Sequence, residues 1–166
     1  MAAGLDPELM IDIPYIGYLL QNGKENVLVD TGIHQDNIVD GRAWGGYTAV
    51  GGNQYVLGAL EKEGLKPTDI DTVIYTHLHN DHAGGALLFP EARTIFQRDE
   101  YANLLNQIPT QMIRSDFDKR TPGDRTQLKN IYMFDGDLIL PNGLELYKIP
   151  GHTLGSMAIV VPTAEG

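Results

Sequence analysis

Short apolar runs alternate with glycine- and proline-marked turns along this chain. Residues 11–20 and 27–29 are two such runs, separated by Gln21, Asn22, Gly23 and Lys24, and together they predict a hairpin. Its second strand leads into Asp30, Thr31 and Gly32, which places a carboxylate at a strand tip where the chain must turn. Residues 33–52 hold Trp44, Tyr47 and five glycines with little periodicity, and they predict a long loop of the kind that often carries function. From Asn53, the positions Tyr55, Val56, Ala59 and Leu60 follow helical spacing, and Lys62, Gly64 and Pro67 mark an end after about three turns.

Residues 72–75 form a β-branched and aromatic run, which predicts a buried strand delivering the chain into Thr76-His77-Leu78-His79-Asn80-Asp81-His82-Ala83-Gly84-Gly85. Asp81 is positioned to open a short helix reaching Leu88. A strand over 93–97 and a helix over 99–106 capped by Asp99 follow. Residues 107–130 are polar and weakly periodic, compatible with a helix followed by a loop. Runs at 131–134, 138–140, 144–149 and 157–161 predict four short strands joined by turns rich in Gly, Pro, Asn and Asp. The order is strands, helices, then strands, with no internal repeat, so a sheet covered by helices is the expected fold class.

Composition narrows the chemistry. The chain has 166 residues, of which 42% are hydrophobic and 20% charged, enough for one domain with one sizeable core. A formal charge of −10 repels a phosphate backbone, which argues against nucleic acid as a partner. There is no cysteine, so disulfides, thiolate nucleophiles and thiolate metal ligands are excluded, and any metal must sit on imidazole and carboxylate. The first residues show no basic segment followed by an apolar one, and no apolar run approaches the ~20 residues of a membrane span. A cytoplasmic protein without membrane partners is the expectation.

His77 and His79 are two apart, so on an extended segment both imidazoles point to one side, and Asp81 and His82 add a carboxylate and a third imidazole just beyond. Four metal-competent groups in six residues do not suit core packing, where each would need its own polar partner. Of the five histidines, three lie in this cluster. A fourth, His152, follows a strand run in Pro150-Gly151-His152-Thr153-Leu154-Gly155-Ser156, where flanking glycines allow the sharp turn that aims an imidazole at the same sheet edge. His34 stands apart and reads as a surface or hydrogen-bonded residue.

The His77-x-His79-x-Asp81-His82 element at a strand end, followed by Gly151-His152-Thr153-Leu154-Gly155-Ser156, resembles the hallmark of the metallo-β-lactamase superfamily. The run from His77 to Gly85 with the aromatic loop around Trp44 is most similar to its N-acyl-homoserine lactonase group. The resemblance implies an α/β (α+β) fold, the four-layer αββα sandwich. This chain would supply the first half to two-thirds of it as a single incomplete domain, leaving one apolar sheet face bare until a further segment packs on it. It also implies that His77, His79 and His152 hold one metal, that Asp81 and His82 hold a second, and that Asp30 orients a ligand. Trp44 and Tyr47 would lie in a substrate loop. The two divalent ions implied are zinc, with iron or manganese as alternatives. They would share a hydroxide that opens a lactone or a related ester, Asp81 being a ligand that also handles a proton. The bridging Asp and final His of the family pattern have no counterpart after Ser156. Implied partners are therefore a small ester or lactone, a complementary polypeptide segment and, as a further option, a second copy of the chain. Three rival readings use the same residues: a thioester hydrolase of the glyoxalase II type, an iron persulfide dioxygenase, and an inactive metal-binding fragment.

Overall fold

The computed structural model describes residues 10–43, 46–106 and 128–164. Strands β1 (Tyr18–Gln21) and β2 (Asn26–Val29) pair antiparallel across the expected turn. There the Asn22 side chain accepts the N–H groups of Lys24 and Glu25, both at 2.9 Å, and Gly23 takes φ 79°. Strands β3 (Thr72–Ile74), β4 (Arg93–Gln97) and β5 (Asn130–Phe134) then add in parallel, giving a five-stranded sheet in the order β1-β2-β3-β4-β5. Parallel neighbours need crossovers, and helix α1 (Asn53–Lys62) supplies the one between β2 and β3. It ends as the sequence predicts, with Lys62 in its last turn and Gly64 at φ 73°.

Strand β3 is buried on both faces, and alternation divides its side chains between two apolar clusters. On the helical face, Val73 and Tyr75 pack with Leu60 of α1, Ala83 of the short helix α2 (Asn80–Ala83) and Leu104 of α3 (Arg98–Asn106). On the other face, Ile74 meets Ile95, Phe134, Leu140, Leu146 and Met157. Leu146 and Met157 belong to a second, antiparallel sheet of β6 (Leu138–Ile139), β7 (Glu145–Lys148) and β8 (Met157–Val160). The described residues thus form helices, sheet and sheet, three layers of the sandwich. The inner face of the first sheet is not bare: the second sheet covers it, because Leu144, Leu146 and Met157 face inward and are buried.

Three local expectations also change. The apolar run 11–20 pairs only over Tyr18–Gln21. Gly17 runs so close to β2 that a Cβ there would lie 2.9 Å from the Asp30 carbonyl oxygen, and Pro14 has no N–H for a ladder. The helix expected from Asp81 to Leu88 is instead α2 followed by a separate 3-10 turn at Ala86–Leu88. The break falls at Gly84 and Gly85, where the chain presses on Gly32 and Thr31; a Cβ on Gly84 would sit 2.3 Å from His34 N. Asp99 lies inside the first turn of α3 rather than capping it, and its carboxylate pairs with Lys148. Loop 33–52 is irregular apart from a 3-10 turn at Gln35–Asn37 and isolated bridges around Arg42, among its described residues. Most of 107–130, where the sequence is compatible with a helix and loop, lies outside the described residues, as does Trp44.

Candidate metal centre

The candidate residues gather where β2 and β3 end, at the carboxyl edge of the parallel sheet, where open α/β sheets place their ligands. Asp30 follows β2 with φ 57°, a left-handed conformation that aspartate tolerates better than most residues. The turn points its buried carboxylate across to the end of β3. There the Thr76 N–H donates to Oδ1 at 2.9 Å and the Thr76 hydroxyl to Oδ2 at 2.7 Å. His82 Nδ1 lies 2.8 Å from the same Oδ2. A carboxylate accepts only, so this nitrogen carries the proton and Nε2 is left facing Asp81, 3.7 Å from its Oδ2. Burial alone would lower the pKa of His82, but the hydrogen bond to Asp30 and the charges of Asp30 and Asp81 together raise it.

His77 and His79 leave the same strand end, and His152 reaches them from the loop between β7 and β8. One ligand atom from each of the three lies within 4.8 Å of the others. The rings stand edge to face, with centroids 4.7 Å apart for His77 and His79 and 4.8 Å for each of them against His152. His79 Nδ1 and His152 Nε2 come to 3.0 Å. Nε2 of His77 is buried with no hydrogen-bond partner, an arrangement that costs free energy unless something else satisfies it. Desolvation, then the neighbouring imidazoles, push His77 down to about 2. Desolvation and His152 take His79 down to about 4. Both rings are therefore neutral near pH 7, the form in which imidazole binds a metal. Three imidazoles gathered around one site, one of them with an orphaned buried nitrogen, fit a divalent cation with imidazole ligands.

Two features of the site were not read from the sequence. Glu100, in the first turn of α3, is fully buried and accepts the Leu78 N–H at 2.9 Å and the Gly155 N–H at 2.8 Å, so one carboxylate touches both histidine-bearing loops. The His152 loop is also closed on itself, since Thr153 N–H donates to Ser156 Oγ at 3.0 Å and the two hydroxyls meet at 2.8 Å. Its far end is tied to the first loop by Met157 N–H donating to Thr76 O at 3.0 Å. His34 is hydrogen-bonded as expected, its Nδ1 accepting from Asp36 N at 3.1 Å. Tyr47 is exposed. A cavity of about 430 Å³ between β1, β2 and α1 reaches Asp30 and Thr31 but is not lined by the histidines.

The model of the metallo-beta-lactamase superfamily matches residues 17–165, and this span includes every residue of the site. The chain belongs to the metallo-β-lactamase superfamily. Curated relatives include the N-acyl homoserine lactonase of Bacillus cereus, 29% identical over 96% of this chain and 62% of its own length. The N-acyl homoserine lactonase AiiB of Agrobacterium fabrum is 37% identical over 61% of this chain and 39% of its own. A solved structure of an N-acyl homoserine lactone hydrolase, with the product N-hexanoyl-L-homoserine at its catalytic metal center, superposes with a TM-score of 0.75 at 25% identity. That superposition covers 98% of this chain and 64% of the other, so the chain spans less than two-thirds of these relatives. The superfamily fold accounts for the helix, sheet and sheet layers. Membership together with the histidine cluster marks a divalent-metal-binding protein. No helix among the described residues is long and apolar enough to cross a membrane.

Proposed function

We propose that this protein is part of a metal-dependent hydrolase that opens a lactone ring or cleaves a related ester, with N-acyl homoserine lactones as the substrate class. The observation that carries the reading is the convergence of His77, His79 and His152, with the buried Nε2 of His77 unpartnered. In this reading those three imidazoles hold one divalent ion, and Asp81 with His82 begins the site of a second. Zinc suits the imidazole-rich set best. Bound ions would supply Lewis acidity toward a carbonyl oxygen and a water acidified toward neutral pH.

The chain's own residues then have separable tasks. Asp30 holds the Nδ1 proton of His82, which leaves the Nε2 lone pair for a cation held beside Asp81. Asp81, partly exposed on α2, offers a carboxylate that binds a cation and can take or return a proton at its free oxygen. The lactonase relatives favour a lactone over the thioester and persulfide alternatives.

The test is lactone opening, followed by the acid released from N-hexanoyl homoserine lactone. It is run on residues 1–166 and on a polypeptide that adds the complementing segment, each with zinc and after chelation. Zinc-dependent turnover is expected once the segment is present. A zinc-loaded, completed protein with no turnover on lactones would overturn the reading. Asp81→Ala and His82→Ala should each lower the metal content of the completed protein from two ions toward one, and an unchanged content of two would remove these residues from the second site.

A further inference from the structure

Glu100 lies outside every motif that singled out the site, yet it is the side chain whose carboxylate touches both histidine loops. It leaves the first turn of α3 and is 0% exposed. Oε2 accepts the N–H of Leu78, the residue between His77 and His79, at 2.9 Å. Oε1 accepts the N–H of Gly155, three residues beyond His152, at 2.8 Å. One buried side chain thus accepts an N–H from each loop, one at each carboxylate oxygen, and bridges the two. The approach is tight enough to dictate the residue opposite. A Cβ on Gly155 would meet Glu100 Cγ at 2.8 Å and Gln97 Cβ at 2.9 Å. No backbone ladder bond joins residues 77–79 to residues 151–155, and the nearest backbone tie is Met157 N–H to Thr76 O at 3.0 Å.

We infer that Glu100 is a positioning residue that sets the spacing between the His77–His79 loop and the His152 loop, and so the 3.0 Å approach of His79 Nδ1 to His152 Nε2. Its metal readout rests on the proposed metal role of these histidines. Its metal-free readout does not. A glutamine at 100 keeps the shape but turns an amide N–H₂ toward one of the two N–H donors, which opens that side of the bridge. An alanine at 155 pushes on the bridge from the opposite side.

The test uses the 166-residue chain with Glu100→Gln, Gly155→Ala and, as a control in the inter-sheet core, Leu146→Ala. Two readouts are taken: cobalt(II) affinity with its d–d absorption, and ring-to-ring nuclear Overhauser contacts between His79 and His152 in the metal-free protein. Both loop variants should lose about 10- to 100-fold in cobalt affinity, the range typical of residues supporting metal ligands, with an altered d–d band and a lost ring contact. Leu146→Ala should lower the melting temperature while leaving cobalt affinity within about threefold, since core packing away from the site carries the loss. The inference is overturned if the loop variants keep both affinity and ring contact, or if Leu146→Ala matches them. If Glu100→Gln does not fold, Gly155→Ala decides. If the wild-type chain binds no cobalt, the metal reading fails, and the ring contacts still judge Glu100.

Discussion

The two loops that carry the trio are built differently. His77 sits at the end of a strand buried on both faces, and Thr76 beside it is fixed by two hydrogen bonds to a buried aspartate. His152 is exposed, on a loop between two strands of the smaller sheet. Short tethers hold that loop: Ile149 N–H to Ser156 O at 2.8 Å, Gly151 N–H to Thr153 O at 3.0 Å, and the Thr153–Ser156 pair. On the first side, folding itself orders the imidazole, and the desolvation that keeps His77 neutral also leaves its Nε2 unpaired. On the second, the imidazole is exposed, and its position depends on a few polar contacts. Damage to the buried side should therefore cost stability and metal together, while loss of the exposed imidazole itself should cost metal alone.

Asp30→Ala is the largest break. It strands the Thr76 N–H, the Thr76 hydroxyl and the His82 Nδ1 proton, and it places alanine at φ 57°. At ~1–3 kcal/mol for each buried donor left unpaired, partly relieved by water, the loss in urea unfolding should be about 3–5 kcal/mol. A loss under about 1 kcal/mol would mean that the buried side is not the stiff one.

His152→Ala comes next and is the sharpest contrast. Because the side chain is exposed, metal-free stability should stay within about 0.5 kcal/mol of wild type. Zinc affinity should fall at least ~100-fold, beyond the range set by residues that only support ligands. The same pair of proteins gives a metal-removal test. Zinc at one hundred times its dissociation constant should stabilise the wild type by about 2.7 kcal/mol, and chelation or His152→Ala should abolish the rise in melting temperature. An equal rise in the variant would take His152 out of the ligand set.

Ser156→Ala is the smallest change. It removes the oxygen that accepts the buried Thr153 N–H, so a loss of about 1 kcal/mol is expected, with roughly tenfold weaker zinc binding measured by competition titration. A stability loss with no change in zinc affinity would show that the loop's self-closure does not aim His152.

Where the sequence was readable, the reason was local. The β-branched run before Thr76 and the two-residue spacing of His77 and His79 are both chain-adjacent signals, and β3 with the histidine loop lies where they point. His152 was legible through its chemistry, an imidazole between glycines after a strand. Glu100 was not, because an acid in the first turn of a helix is ordinary and its two partners lie 22 and 55 residues away. The run at 11–20 reads as strand from apolarity, but pairing stops at Tyr18, because the partner chain turns at Asp30 with φ 57° and the Asp30 N–H goes to Ile74 O instead. The cover on the first sheet was illegible for a related reason. Strands of two to four residues, such as β6 and β7, carry little pattern, and which face Leu146 takes is decided by its partners.

The central claim is that His77, His79 and His152 hold one divalent ion together. X-ray absorption at the zinc edge, on protein loaded with a single equivalent of zinc, tests it most directly. The account predicts a first shell containing three imidazole nitrogens at ~2.0–2.1 Å, falling to two in His152→Ala. A shell dominated by oxygen, or one whose imidazole count is the same in wild type and His152→Ala, would contradict it.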